Sequence, residues 1–577
     1  MQIVTRSLFT LLILAATASA DDLALVRDGR AEAEIVLAKD TTTAEERGAR
    51  ELRDHLREMS GAELAIVREA PEAGRAEVRI AHDAAMGPEE YRLKTDGRLL
   101  NISGGRPRGV LYGCYALLDR LGVRWYAKTA KLVPRLATVT LPALDERGVP
   151  AFDYRYPFTF EADDPDWAAR NRVNGASKRL DASYGGSVLY NPFVHSLEQI
   201  VPAEMFEKHP EYFPLVEGKR SSGVVKGGKV YPGSVQRCLS NREVVKLAIA
   251  KVREWIRECP EAQICSVSQN DGDGWCGCAE CRKLTERYGA TSGVIVEFVN
   301  QVAEAIEKDH PGLLIDTLAY GDTLAPPKNI APRRNVRVRL CPISVCHAHP
   351  LEFCASKESK AFLEHLKGWD ALTDALSVWH YNAGFAHFLM PFPDFAGFSA
   401  DLRLYRKSGV RGVFFQGAYT AGGGGSDAEL RSWVMTRLLW NPDEDADALV
   451  TEWMRGVYGA AWEPMRAWFD RVHREAADPA RHLYILDAPS NPIFSVDVLA
   501  VGDTFFDHAG TLAKGESAAA AVAKARLALR YLKLDRSKNP AAEIGRFLAD
   551  ARRFGIAQVG EGRPLEEWEA EMRARGK

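Results

Sequence analysis

The stretch AQICSVSQNDGDGWCGCAEC (262–281) decides how the chain is read. Its first half is a short apolar run that ends in the polar residues Gln269, Asn270 and Asp271. A glycine-rich turn follows, then three thiols, Cys276, Cys278 and Cys281. A buried strand with polar groups at its exit is what a parallel α/β sheet presents at the carboxyl ends of its strands, where sites collect.

The same rhythm extends on both sides. Strand-like runs recur at AFDYRYPF (151–158), LLIDTLAY (313–320), VRVRLCPIS (336–344), ALSVWHYN (375–382) and GVRGVFFQG (409–417). Helix-like runs such as SGVIVEFVNQVAEAIEKDHPG (292–312) and FPDFAGFSADLRLYRKSG (392–409) lie between them. Alternation of this kind implies parallel pairing with crossover helices. The region 151–440 is long enough for a (β/α)8 TIM-type barrel.

Before it, residues 21–150 carry AEIVLA (33–38), a helix over TTTAEERGARELRDHLREMSGAEL, EVRIAH (77–82), YRLKTDGRLLNISGG (91–105) and a second helix at VLYGCYALLDRLG (110–122). Thr43 with Glu46 reads as a capping box, and Asp96-Gly97 as a hairpin turn. This is a small α/β sandwich with no nucleophile or metal cluster, hence an accessory domain. After Asn441, residues 441–577 read as helical throughout, with Trp453, Trp462 and Trp468 on amphipathic runs.

The chain has 577 residues, 46% hydrophobic and 27% charged, enough for several cores. Its 75 basic and 78 acidic residues leave a net charge of −3, which gives no basic patch for nucleic acid or an anionic membrane. Residues 1–20 form a leader: Arg6, an apolar stretch, and Ala18-Ser19-Ala20 as the cleavage site. The mature chain has no apolar run of spanning length. An exported protein cleaved after Ala20 is expected, periplasmic or extracellular.

Several motifs in one order resemble a known family. SVSQNDGDGWCGCAEC (266–281), LLIDTLAYGDTLAPPKNI (313–330), HFLMPFPDF (387–395) and ELRSWVMTRLLWNP (429–442) look like the bacterial family called domain of unknown function 4838, over about Tyr154 to Tyr458. ARELRDHLREMSGAEL (49–64) is similar to the small domain preceding the barrels of family 20 hexosaminidases and family 67 alpha-glucuronidases. The resemblance implies a glycosidase-like architecture without naming a sugar. In family 20 the acid also follows the fourth strand, which points to Asp271. The family pattern often has an Asp where this chain has His380 and a Glu where it has Phe415.

Glycoside hydrolysis ordinarily takes two carboxyl groups. Asp271 is the first candidate; the bland alternative makes it and Asp273 caps of a glycine turn. For the second, Asp316 and Glu429 are the candidates, Glu429 competing with a helix-start role. Candidate substrate-binding residues are His195, Gln269, Asn270, Tyr320, His347, Trp379, His380, Tyr381, Asn382, Gln416 and Tyr419, since aromatic faces stack on sugars and imidazoles bind hydroxyls. For each alone, structural packing is the competing reading.

Ten cysteines lie between Cys114 and Cys354, six of them between Cys238 and Cys281. Disulfides from the 276–281 loop to Cys238 or Cys346 are the expectation in an exported protein. Zinc on Cys276, Cys278 and Cys281, with Cys238, Cys341, Cys346, His347 or His349 as fourth ligand, is the alternative. A calcium loop lacks its later Glu. The sequence therefore points to an exported glycoside hydrolase acting on a glycan by carboxyl catalysis, with no cofactor. The alternatives are a carbohydrate-binding protein on a degenerate barrel, or a metal-dependent enzyme using the cysteines.

Overall fold

The structure is a computed structural model that describes residues 22–175, 179–226, 229–231, 234–420 and 422–575. The expected leader lies outside the described residues. The chain divides into two compact units: one comprises residues up to 124, 132–149 and 181–186, the other 125–131, 150–180 and the rest of the chain from 187.

The first unit is built on a six-stranded mixed sheet. Its strands are β1 (Ala33–Leu37), β2 (Ile66–Val67), β3 (Ala76–His82), β4 (Tyr91–Asp96), β5 (Leu99–Gly104) and β6 (Asp145–Gly148), in the order β6-β4-β5-β3-β1-β2. β4 and β5 form the expected hairpin, and Gly97 takes φ +58° in its turn, where a side chain would be strained. Two helices accompany the sheet, α1 (Thr43–Ser60) and α2 (Gly109–Arg120). The capping box sits one residue earlier than the sequence reading put it. Thr42 caps the Glu45 amide and Glu45 returns to the Thr42 amide, because Thr42 is the last extended residue before the helix.

The second unit contains six parallel strands, β7 (Tyr154–Phe158), β8 (Ile264–Ser266), β9 (Leu314–Ala319), β10 (Val336–Leu340), β11 (Leu376–Tyr381) and β12 (Val410–Gln416). Their order is β7-β12-β11-β10-β9-β8, an arc in which every neighbour is parallel. The strands are covered on both faces: all five residues of β10 are buried, its two arginines included. Crossover helices α3 (Arg242–Glu258), α4 (Ala279–Tyr288), α5 (Thr291–Glu307), α6 (Lys357–Asp370) and α7 (Phe395–Lys407) supply one cover.

Eight regular strands were expected and six are found among the described residues. Between β7 and β8, two short irregular segments carry the hydrogen bonding. The Gly175 amide donates to the Arg155 carbonyl at 3.1 Å, Val188 to Asn174 at 2.8 Å, and Ile264 to Leu189 at 3.2 Å. The Asn174 side chain takes two further ladder positions, accepting from the Arg155 amide and donating to the Asp153 carbonyl, both at 2.8 Å. A side-chain amide that mimics backbone in this way makes a regular strand unnecessary there.

On the inner side of the arc, aromatic rings surround one ion pair. Tyr154, Tyr156 and Phe414 form a core with Phe158, Tyr190, Phe193 and Trp379. Among them Arg339 on β10 meets Asp316 on β9 at 2.6 Å and lies 4.6 Å and 4.5 Å from the ring centres of Tyr190 and Phe193. Ser266 on β8 adds a 3.1 Å hydrogen bond to Asp316.

From α8 (Ala428–Trp440) onward the chain is mostly helical: α9 (Ala446–Tyr458), α10 (Trp462–Ala476), α11 (Val496–Leu512), α12 (Glu516–Arg536), α13 (Ala541–Arg553) and α14 (Leu565–Arg575). Trp568, Phe547 and Tyr531 anchor its core. One departure from helix matters: a hairpin of β13 (Gln558–Gly560) and β14 (Arg563–Pro564). Among the described residues no helix is long and apolar enough to cross a membrane.

Arg339→Met leaves Asp316 buried without its counter-charge, so it is expected to cost about 3–5 kcal/mol in chemical denaturation. The joint change Arg339→Met with Asp316→Leu recovers most of that loss, since it removes both charges.

Candidate active site

The carboxyl ends of five strands converge on one cavity of ≈ 430 Å³. Asp271 follows β8, Tyr320 follows β9, Cys341 follows β10, Trp379 and Tyr381 end β11, and Gln416 ends β12. His195 enters from the loop after the irregular segment 188–191. Ile485, Leu486 and Glu561 come from the C-terminal region.

Each polar group in the cavity is aimed by a neighbour. Tyr320 donates its hydroxyl hydrogen to Asp271 Oδ1 at 3.2 Å. Trp379 Nε1 donates to Gln416 Oε1 at 2.9 Å, which fixes the amide so that Gln416 Nε2 donates to Glu561 Oε1 at 3.2 Å. Partial burial, and then the charge of Asp271, push the Glu561 carboxyl above the usual carboxylate range. Two acids from distant parts of the chain thus line one mouth.

His195 holds φ +51°, a left-handed conformation that is uncommon for a residue with a side chain. Its amide donates to Ser268 Oγ at 2.9 Å and its Nδ1 lies 2.8 Å from the Gln269 carbonyl. A carbonyl partner requires hydrogen on Nδ1, so the neutral ring offers Nε2 as an acceptor. Trp379 and Tyr381 lie 6.3 Å apart at 27°, two nearly parallel aromatic faces on the wall.

The other residues singled out in the sequence sit elsewhere. Asp316 is fully buried beneath the cavity in the Arg339 pair; burial pushes its carboxyl up against the pull of Arg339. Glu429 opens α8 and is paired with Lys524 at 2.8 Å in a separate pocket. Gln269 donates to the Tyr320 carbonyl at 3.0 Å and so sets the position of that ring. Asn270 braces the loop from inside, donating to Val235 and accepting from the Glu198 amide. His380 is buried with Nδ1 2.8 Å from the Tyr405 hydroxyl, and burial keeps it neutral. His347 is also buried, pushed down to about 3, and neither ring nitrogen has a hydrogen-bond partner among the described residues. Asn382 is buried against Met435, and Tyr419 stacks on Phe158 at 4.5 Å and donates to Asp163. Phe415 lies wholly inside the core.

Glu561 escaped the sequence reading. It occupies the turn between β13 and β14 in a region read as helix throughout. The local signal was the Gly560-Glu561-Gly562 sequence, a turn with one acid between glycines. The hairpin is pinned to the loop after β11: Phe388 donates to Val559 and Glu561 to Phe385, both at 2.7 Å.

The cysteines form no disulfide among the described residues. Cys238 Sγ lies 3.8 Å from Cys278 and 4.0 Å from Cys281, against about 2.05 Å for a bonded pair. Two groups could hold a metal ion: Cys238, Cys276, Cys278 and Cys281, and separately Cys346, His349, Cys354 and His482. Within each, the ligand atoms lie within 4.8 Å of one another.

The model of a family described as "Domain of unknown function (DUF4838)" matches residues 125–470. That of "Glycosyl hydrolase family 20, domain 2" matches residues 26–138. No curated protein matches the chain. Among solved structures, a family GH115 4-O-methyl-alpha-glucuronidase, BtGH115A, described as specific for decorated arabinogalactans, is similar with a TM-score of 0.59 at 12% identity. The match covers 96% of this chain and 80% of that one. A beta-N-acetylhexosaminidase from Bacteroides fragilis matches with a TM-score of 0.42 at 11% identity, over 74% of this chain and 89% of that one. A Streptomyces plicatus beta-hexosaminidase matches with a TM-score of 0.42 at 14% identity, over 80% and 92%. The GH115 likeness establishes a shared fold.

Gly560 lets the hairpin approach this closely. A Cβ there would fall 2.6 Å from the Ala386 carbonyl oxygen. Gly560→Val is expected to destabilise the protein by about 1–3 kcal/mol in thermal unfolding. It should also displace Glu561 from the cavity, which a crystal structure of the variant would show.

Proposed function

We propose that this chain, which belongs to the family described as domain of unknown function (DUF4838), is an exported glycoside hydrolase that cleaves a glycan at the cavity formed by its strand ends. The observation that carries this reading is the meeting of Asp271 and Glu561, about 290 positions apart in the chain, at one aromatic-walled mouth. Glycosidases place two carboxyl groups on either side of the scissile bond. Trp379 and Tyr381 supply faces on which a sugar ring stacks, and His195 and Gln416 reach its hydroxyls. We read β7 to β12, with segments 173–175 and 188–191 in the two remaining places, as an eight-fold ring around the aromatic core. The leader-type sequence at residues 1–20 supports export.

The environments of the two acids support a division of roles. Glu561, whose proton is held by partial burial and by the charge of Asp271, is the general acid that protonates the leaving oxygen. Asp271, accepting from Tyr320, acts as nucleophile or as base toward water. This reverses the role first expected of Asp271, which rested on the place of the acid after the fourth strand in family 20 enzymes.

A glycan panel that includes acidic and neutral polysaccharides, scored for released reducing ends, tests the proposal. Asp271→Asn and Glu561→Gln should each lower kcat by about 10²-fold or more. Glu429→Gln should stay near the parent, since its partner is Lys524. The parent's kcat/KM should fall as pH rises through the Glu561 pKa, and Glu561→Gln should lose that alkaline limb. Full activity in Glu561→Gln removes it from the mechanism. Binding across the panel without cleavage supports the second reading, a carbohydrate-binding protein, which His380 and Phe415 favour by placing no acid on β11 or β12.

A further inference from the structure

The cysteine groups fit a role that catalysis does not use. In the first, four sulfurs from two chain segments converge: Cys238 before α3, and Cys276, Cys278 and Cys281 on the stretch that runs from the loop beyond Asp271 into the first turn of α4. Tetrahedral zinc binds sulfur at about 2.3 Å, so ligand sulfurs on one ion stand about 3.8 Å apart. The Cys238 to Cys278 and Cys238 to Cys281 distances are 3.8 Å and 4.0 Å. Four thiolates on a divalent ion leave excess negative charge, and the surroundings answer it. The Leu215 amide donates to Cys276 Sγ at 3.3 Å, Arg220 lies 3.7 Å from the same sulfur, and α4 directs its positive end at the cluster.

The second group is independent of the first. Cys346, His349 and Cys354 lie in the loop after β10, and His482 lies beyond α10. Zinc with sulfur at about 2.3 Å and nitrogen at about 2.0–2.1 Å sets a sulfur-to-nitrogen edge of about 3.5 Å. Cys346 Sγ stands 3.5 Å from His349 Nδ1, and Cys354 Sγ stands 3.9 Å from Nδ1 of both His349 and His482.

We propose that the protein carries two structural zinc ions, one held by Cys238, Cys276, Cys278 and Cys281 and one by Cys346, His349, Cys354 and His482. On binding, each thiol releases its proton to solvent as the metal–sulfur bond forms, and no oxidant is involved. Both sets supply four protein ligands and leave no open position, which makes the ions structural and not catalytic. Their placement gives them a task. The first fastens the loop that leaves Asp271. The second ties segment 482–486, which brings Ile485 and Leu486 to the cavity wall, to the loop after β10.

The test is metal analysis of the full chain, expressed with zinc and purified without chelator, by plasma mass spectrometry. About two zinc ions per chain are expected, with Cys278→Ser and His482→Ala each losing about one. X-ray absorption at the zinc edge of the parent should show on average about three sulfur and one nitrogen ligands, a readout that stands if a variant fails to fold. Zinc content unchanged by a cluster's variant overturns that cluster. Less than about half an ion per chain, iron in place of zinc, or disulfide-linked peptides of Cys238 to Cys281 on alkylation without reduction overturns the proposal.

Discussion

The second unit depends on how the inside of its parallel arc is filled. Strands buried on both faces can accept little but apolar side chains. Here the interior also contains Asp316 and Arg339, pinned to each other at 2.6 Å and enclosed by Tyr190, Phe193 and Trp379. A charge pair at that depth holds its shape only if each partner keeps the other. Its rigidity is passed upward: Trp379 covers the guanidinium with one part of its ring and orients Gln416 with its indole N–H. The filled interior leaves space for a ligand above the strand ends, and the cavity lies there.

This explains which parts of the fold could be read from sequence. The six strands announce themselves because they are rich in β-branched, aromatic and aliphatic residues between turn signals, and each was legible within a few residues. The turn at Asp96-Gly97 was legible because its backbone requires a positive φ. Segment 173–175 was not, because a side-chain amide at Asn174 takes over ladder positions there, and segment 188–191 was not, because it is short and bridges β8 at Tyr190 alone among the described residues. The hairpin 558–564 was missed for a related reason: its pairing is two residues long and its stability comes from the loop after β11, which no local window contains.

The acids were legible in part for the same physical reason. Asp271 stood out because it follows a strand directly. Asp316 and Glu429 stood out equally, yet both are occupied, one by Arg339 and the other by Lys524. A sequence records the presence of a carboxylate and not whether a cation has claimed it. Glu561 is the reverse case, an acid of modest local context whose side-chain donor in the cavity is the neutral amide of Gln416. A neutral donor adds no counter-charge to Glu561, whereas Asp316 and Glu429 each have an oxygen taken by a cation.

The thiol loop at 276–281 serves the placement of Asp271. Loops at strand ends have no core of their own, since they must leave the cavity open, and their backbone is held by whatever they touch. Asp271 follows such a strand and is itself exposed. It is held from one side by Asn270, which binds the Val235 carbonyl, and from the other by the 276–281 turn, whose sulfurs gather around Cys238. Val235 and Cys238 belong to one short segment, so both anchors grip the same strip of chain. The half of the motif that bears an acid and the half that bears thiols therefore serve one requirement, the fixed position of a solvent-facing carboxylate on a loop without a core.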